Sequence, residues 1–389
     1  MRVTHVITRL IVGGAQENTI STVLGLQGKP SLETDLISGP TTGPEGSLES
    51  SFAAQPGLLR IHPRLVRPVH PLFDWLAWRD LTRDFRRTRP DIVHTHSGKA
   101  GVLGRLAARK ARVPLIIHTI HGPSFGPFQG ALANFIFRSA EKAAGRATDH
   151  FVCVAHAMTE QYLAAGIGVP AQYTRILSGF NLRPFLSAPK SPELRQKLGI
   201  GPDDFVLGKI ARLAPLKGHE DLIRAAPALV KKYPQLKILL VGDGPSRGEF
   251  AALIESLGLN KHFVFAGLIP PAAVPAHVGI MNALAHLSLR EGLPRALPQA
   301  LAAGVPVVAC DCDGAREVCL DQKTGFLVRP GDFPALEARI SQLIESPELR
   351  RKLGEAGRSF VERSFSVEAM VDNIYTLYQR LWADRQNQA

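Results

Sequence analysis

Charged residues and glycines stand at the ends of short apolar runs, where a sheet would deliver them to a ligand. After Phe205–Ile210 comes Ala211-Arg212-Leu213-Ala214-Pro215-Leu216-Lys217-Gly218. A guanidinium fork and an ammonium this close in one loop can bracket a diphosphate, although a solvated basic loop reads the same. A second run ends in Arg290-Glu291-Gly292-Leu293-Pro294 and leads through helix-forming residues to Gly304-Val305-Pro306-Val307-Val308-Ala309. Glu291 and the free N–H groups that follow it are thereby aimed at one spot, and a carboxylate there suits sugar hydroxyls. Near the start, Gly13-Gly14-Ala15-Gln16 opens a helix. A glycine pair lets backbone N–H groups approach an anion, and a plain tight turn uses the same letters. Gly242-Asp243-Gly244-Pro245 finds its next glycine at Gly248, one residue late for a dinucleotide fingerprint, and is read as shaping a cleft. His94-Thr95-His96 puts two imidazoles on one side of an extended segment, as a metal site would. No carboxylate is near it in sequence, so it is read as a strand end lining the cleft.

These positions need buried strands and helices to hold them, and the chain alternates the two. Strand-like runs at 3–8, 91–94, 115–119 and 151–154 are each followed by a helix-like one, at 15–26, 101–111, 131–144 and 159–165. The runs are short and rich in Val and Ile, as parallel strands buried on both faces are. Residues 183–202 carry Pro184, Pro189, Pro192 and Pro202 in a polar context and read as a linker. A second alternation follows, with strands at 205–210, 237–241, 263–265, 286–287 and 305–309 and helices at 220–232 and 247–257. The fold class is therefore α/β with two similar sheets. At 368–385, Met370, Val371, Ile374, Leu377, Tyr378, Leu381 and Trp382 keep helical spacing, so that helix must dock on something.

The chain has 389 residues, 45% hydrophobic and 21% charged, with a mean hydropathy of +0.03. That suits two soluble domains and excludes disorder and fibres. No apolar stretch reaches the ~20 residues of a membrane span, and the N-terminus runs straight into a strand, so the protein is expected in the cytoplasm. Cys153, Cys310, Cys312 and Cys319 read as buried thiols, since four clustered cysteines make no disulfide framework. Charge is uneven: residues 1–190 hold 22 Lys/Arg against 12 Asp/Glu, while the rest holds 24 against 22. The first half faces something negative, such as a phosphorylated substrate or an anionic membrane. A nucleic-acid role has the charge but no binding motif. Residues 128–146, with Leu132, Phe135, Ile136 and Phe137 beside Arg138, Lys142 and Arg146, fit a helix resting on anionic lipid, with Trp75 and Trp78 as companions; an amphipathic core helix shows the same pattern.

Taken in order, Gly13-Gly14-Ala15, Arg212 with Lys217-Gly218, Gly242-Asp243-Gly244-Pro245, and Glu291-Gly292-Leu293-Pro294 through Ala309 resemble the retaining glycosyltransferases of family 4 over nearly the whole chain. The resemblance implies a GT-B fold: two facing Rossmann-like domains with a cleft between them and a C-terminal helix crossing back to the first. It implies an N-terminal acceptor domain over 1–185 completed by the helix 368–389, a linker over 186–202, and a C-terminal donor domain over 203–367. It further implies a nucleotide-sugar donor, UDP- or GDP-linked, with a hexose-type sugar moved with retention. Arg212 and Lys217 would neutralise the diphosphate, Gly14 would approach it, and Glu291 with the N–H groups near Leu293 would hold the sugar. Backbone near Ile269 would meet the base, and His121 matches the family's histidine beside the donor sugar.

Two positions depart from the family pattern. Gln299 stands where a second glutamate usually bonds the ribose; an amide oxygen still accepts a hydroxyl, without the charge. Leu177-Ser178-Gly179-Phe180-Asn181 replaces the usual Asn-Gly-Val-Asp. Because Arg212, Lys217 and oriented N–H groups would carry the leaving-group charge, no cofactor and no metal is expected. The acceptor is expected to be a lipid or polysaccharide intermediate, or a small metabolite, with peripheral contact to the inner face of an anionic membrane in the first case. Alternative readings are a nucleotide-sugar 2-epimerase-like isomerase and an inactive sugar-nucleotide binder.

Overall fold

The computed structural model describes residues 1–42, 46–122, 124–126 and 128–387. The chain divides into an N-terminal unit, Met1–Gly179 with Val367–Ala389, and a C-terminal unit, Phe180–Ser366; residues 388–389 of the expected terminal helix lie outside the described residues.

The N-terminal unit is a seven-stranded sheet of β1 (Arg2–Ile7), β2 (Glu33–Ser38), β3 (Leu59–Ile61), β4 (Ile92–His96), β5 (Leu115–Ile120), β6 (His150–Cys153) and β7 (Tyr173–Arg175), in the order β3-β2-β1-β4-β5-β6-β7. All its pairings are parallel. The C-terminal unit repeats the plan with six strands, β8 (Phe205–Ile210), β9 (Leu236–Val241), β10 (Phe263–Gly267), β11 (Ala283–His286), β12 (Val307–Cys310) and β13 (Gly325–Val328), in the order β10-β9-β8-β11-β12-β13. Each sheet reverses its winding once, between β1 and β4 and between β8 and β11. Loops leaving neighbouring strands there part to opposite faces, and the crevice at the strands' carboxyl ends is where such sheets bind ligands.

β4, β5 and β6 are buried at every position, because helices cover both faces. The terminal helix Val367–Asn387 belongs to the N-terminal unit: Met370, Val371, Ile374, Leu377 and Tyr378 are buried against Val3, Ile92, Leu115 and Ile117. Five such side chains contribute on the order of 10 kcal/mol of apolar burial.

The stretch expected as a linker is structured. Helices Arg183–Leu186 and Pro192–Lys197 occupy it, and Ser191 caps the second by accepting from the Leu194 N–H at 3.1 Å. Residues from Phe180 onward cluster with the C-terminal unit, where the Arg195 guanidinium donates to the carbonyls of Gly201 at 2.6 Å and Asp204 at 2.7 Å. His94 and His96, read as lining a cleft, are instead enclosed in β4 under helices on both faces. Cys153, Cys310 and Cys319 are buried free thiols, while Cys312 is half-buried and donates to the Ser288 carbonyl at 3.0 Å.

Candidate functional site

In the C-terminal unit, the switch between β8 and β11 brings two of the expected residues together. Lys217 Nζ donates to Glu291 Oε1 at 2.6 Å, although 74 residues separate them, and Ser288 Oγ donates to the same oxygen at 2.9 Å. The hydrogen bonds to the Glu291 carboxylate fall on Oε1. The backbone enforces this geometry. Gly218 has φ +66, and a Cβ there would lie 2.0 Å from the Leu287 carbonyl oxygen, so only glycine lets the Lys217 loop close on the end of β11. The Glu291 N–H is fixed by Asp313 Oδ2 at 2.9 Å. Arg212, in the same loop as Lys217, is exposed and holds no acidic partner among the described residues.

The rim continues along the sheet. Leu213 N–H donates to the Asp243 carbonyl at 3.1 Å, and Gly242 N–H to the Gly267 carbonyl at 3.0 Å, so the loops after β8, β9 and β10 abut in turn. Half-buried Ile269 lies at the far end of this rim, beside Leu268, which is 80% exposed. Leu293 lies in the turn after Glu291, and Gln299 is half-buried on the helix Ala296–Ala302. The rim thus offers cations at its centre, a carboxylate beside them and backbone at its end.

Beneath it lies a group that sequence reasoning missed. Lys209, on β8, is buried with Nζ unbonded, and burial lowers its pKa to about 7. His219, with both ring nitrogens unbonded, and His286, with Nε2 unbonded, are also buried, and burial followed by the charges of Lys209 and Lys217 lowers each to about 3. The available signal was a lysine inside an apolar run.

The N-terminal unit holds a cavity of about 560 Å³ whose lining includes Ser97, Lys99, His118, His121, Ile136 and Tyr162. Ala15, next to Gly14 at the start of the helix Gly14–Leu26, also reaches it. No side chain caps that helix, so its first N–H groups are open to a ligand. Val69 (69%) and Ile136 (50%) line the cavity and are exposed, as are Phe73, Trp75, Leu132 and Phe135 on the two helices Pro71–Thr88 and Ala131–Gly145. Trp78 instead packs on the core.

Behind His121 runs a row of buried imidazoles. His121 Nε2 meets His96 Nδ1 at 3.0 Å, His96 Nε2 meets His5 Nδ1 at 2.9 Å, and His5 Nε2 meets the Tyr378 hydroxyl at 3.4 Å. That hydroxyl meets His94 Nδ1 at 2.5 Å, and His94 Nε2 meets Thr119 Oγ1 at 2.6 Å. Burial holds the row neutral: it lowers His5 to about 3 and His121 to about 4, with His94 and His96 also well below their usual range. His5, His94 and His96 offer nitrogens within 4.8 Å of one another, the one group among the described residues with metal-binding spacing. Both His94 nitrogens already have protein partners, so a metal would have to displace Tyr378 or Thr119.

Comparison with known proteins fits this anatomy. Residues 23–183 match the model described as Glycosyltransferase Family 4, and 190–360 that described as Glycosyl transferases group 1. EpsD of Bacillus subtilis (strain 168), classed with the glycosyltransferases, is 34% identical over 78% of this chain and 80% of its own. An Escherichia coli UDP-Gal:alpha-D-GlcNAc-diphosphoundecaprenol alpha-1,3-galactosyltransferase is 26% identical over 81% of this chain and 82% of its own. Among solved structures, Anabaena HepE in complex with UDP superposes with a TM-score of 0.81 at 22% identity, covering 98% of this chain and 100% of that one, and shares its GT-B fold. The chain belongs to the family 4 glycosyltransferases, group 1 type, which use nucleotide sugars.

Proposed function

We propose that the protein moves a hexosyl unit from a UDP- or GDP-linked donor to a lipid-linked saccharide, with retention of anomeric configuration and without a metal ion. The Lys217–Glu291 pair carries this reading. Transfer expels a diphosphate whose charge grows as the glycosidic bond breaks, and prepositioned cations stabilise that charge where it develops. Lys217 is held in place by Glu291, Arg212 stands free in the same loop, and the Glu291 carboxylate accepts from the sugar hydroxyls. Gly14 N–H joins the diphosphate contacts, Leu293 N–H the sugar contacts, backbone near Ile269 meets the base, and Gln299 accepts from the ribose. His121 serves the transferred sugar, and the departing phosphate takes the acceptor's proton on the same face. The exposed apolar side chains around the cavity and the basic balance of residues 1–190 suit an acceptor presented at an anionic membrane. The E. coli relative is named for transfer to alpha-D-GlcNAc-diphosphoundecaprenol, a saccharide carried on a lipid diphosphate. No helix among the described residues is long and apolar enough to cross a membrane.

The test is transfer from UDP- and GDP-hexoses to a lipid extract, with and without EDTA, with product configuration read by NMR. Glu291→Ala should cut turnover by about 10²–10³-fold, the scale for losing one aimed polar group. Its melting temperature should hardly change, because the pair is half-exposed and worth little to folding. Arg212→Ala should weaken UDP or GDP binding in calorimetry. Activity lost to chelator overturns the metal-free part, and near wild-type turnover of Glu291→Ala overturns the site.

A further inference from the structure

A neutral imidazole carries one N–H and one bare nitrogen, so a row of neutral imidazoles bonded end to end must point all its protons one way. The row from Thr119 through His94, Tyr378, His5 and His96 to His121 is unbroken and buried up to His121. Tyr378 is its branch point, with one proton and two histidine neighbours. A phenol donates more strongly than an imidazole N–H, and an imidazole nitrogen accepts more strongly than a phenol oxygen. The proton therefore belongs in the 2.5 Å contact to His94 Nδ1, and the 3.4 Å contact to His5 is the weaker imidazole-to-phenol bond. From this every other proton follows. His94 Nε2–H donates to Thr119, His5 Nε2–H to Tyr378, His96 Nε2–H to His5 and His121 Nε2–H to His96.

We propose that Tyr378, His5 and His96 are positioning residues that lock His121 as its Nε2–H tautomer, so that His121 presents a bare Nδ1 to accept a hydrogen bond from a sugar hydroxyl in the cavity. The tautomer at one end is thus set by a side chain on the terminal helix, 257 positions away in sequence. The register of the sheet makes the row possible. β1 and β4 pair His5 with His94, and β4 and β5 pair His96 with Thr119, so one layer of side chains spans three strands and meets the helix that covers it. His118 stands outside the row, bonded through Nδ1 to Thr95 Oγ1 at 2.9 Å. The sugar hydroxyl as ligand rests on the proposed function; the tautomer does not.

The experiment reads ring-nitrogen chemical shifts of the full chain labelled with ¹⁵N-histidine, assigned by single His→Gln replacements. In the wild type, His5, His96 and His121 should each show a pyridine-like Nδ1 and a pyrrole-like Nε2. In Tyr378→Phe, which leaves the row without its anchor, His121 should become a mixture of tautomers. Turnover should fall about 5–10-fold at nearly unchanged KM for the donor. Leu377→Ala, on the same helix, should lower the melting temperature without moving the His121 signals, which separates ordering from packing. A wild-type His121 with its proton on Nδ1, or a tautomer unchanged by Tyr378→Phe, overturns the proposal even if Tyr378→Phe is less stable. Zn²⁺ shifting His5, His94 and His96 together at stoichiometric amounts overturns it in favour of a metal site. If no nucleotide sugar is turned over but the tautomers are as stated, the function fails and the relay stands.

Discussion

In the N-terminal unit His5, His94, His96 and Tyr378 lie in the core and satisfy one another, whereas in the C-terminal unit Lys209, His219 and His286 are as deeply buried and leave four polar nitrogens unbonded. Both sets sit just behind the ends of strands at a winding switch. Burial pushes every one of these side chains towards its neutral form, so charge does not distinguish them. Pairing does. A paired neutral group keeps its hydrogen bonds at little net cost, while an unpaired one retains the desolvation penalty of its polar atoms. The same substitution, polar to apolar, should therefore have opposite signs in the two units.

The largest expected effect is acid unfolding of one unit before the other. A histidine whose folded pKa is depressed stabilises nothing extra above its unfolded pKa of 6.5; as pH falls below that, the unfolded chain takes up the proton first and folding loses free energy until the folded pKa is reached. At pH 5 that is about 2 kcal/mol each for His5, near 3, and for buried His150, near 4. His94, His96, His118 and His121 shift the same way, while in the C-terminal unit His219 and His286 do. The N-terminal unit should thus open first on acidification. Trp75, Trp78 and Trp382 all belong to it, so tryptophan fluorescence should change at a higher pH than part of the far-ultraviolet circular dichroism. One coincident transition would show that the imidazoles do not set the order.

Lys209 tests the unpaired side. Between its folded pKa of about 7 and its unfolded value near 10.5 the unfolded chain binds the extra proton, so stability rises with pH across that window. Lys209→Met removes the penalty, on the order of 4 kcal/mol at pH 7. The variant should be more stable at pH 7 and converge on the wild type towards pH 10.5, as read by urea unfolding. The paired counterpart, His94→Leu, leaves Thr119 Oγ1 without its imidazole and the Tyr378 hydroxyl with only the 3.4 Å contact to His5, and should destabilise by about 2–4 kcal/mol. Equal signs for the two substitutions would break the comparison.

What the sequence discloses follows the range of the interaction involved. Apolar periodicity and parallel-strand composition locate most strands and the docking helix 368–385, because those signals are local. β3 and β7, three-residue strands at sheet edges, are too short to show a pattern, β2 opens on Glu-Thr-Asp, and the four-residue β13 is apolar but too short to stand out, so these four escape the reading. Prolines between 183 and 202 suggest a break, yet Pro184 and Pro192 occupy the first turns of helices, where the missing N–H costs nothing. Arg212, Lys217 and Glu291 are visible as chemistry at strand ends, but the pairing of Lys217 with Glu291 depends on β8 lying beside β11. The imidazole row is hidden for the same reason: His94-Thr95-His96 shows the alternation, while only strand register brings His5 and Tyr378 to it.

The smallest expected effect lies on the surfaces, where the units differ again. Large apolar side chains are exposed on the two helices that help line the cavity, and exposed apolar side chains on a unit with an excess of cations suit an interface with anionic lipid. Phe135 is 69% exposed on the helix Ala131–Gly145 and has little core packing to lose. Phe135→Ser should therefore weaken sedimentation with phosphatidylglycerol vesicles about tenfold, which is about 1.4 kcal/mol of lost insertion, and leave UDP or GDP affinity and melting temperature unchanged. Wild-type binding should fall as salt rises, since the excess cations of the unit act through screened charge, while the Phe135→Ser ratio to wild type should hold, since apolar insertion is not screened. A ratio that vanishes with salt would assign the contact to charge alone. Unchanged sedimentation of the variant at all salts would remove Phe135 from the contact, and no sedimentation of the wild type at low salt would move the acceptor away from the lipid surface to a soluble saccharide.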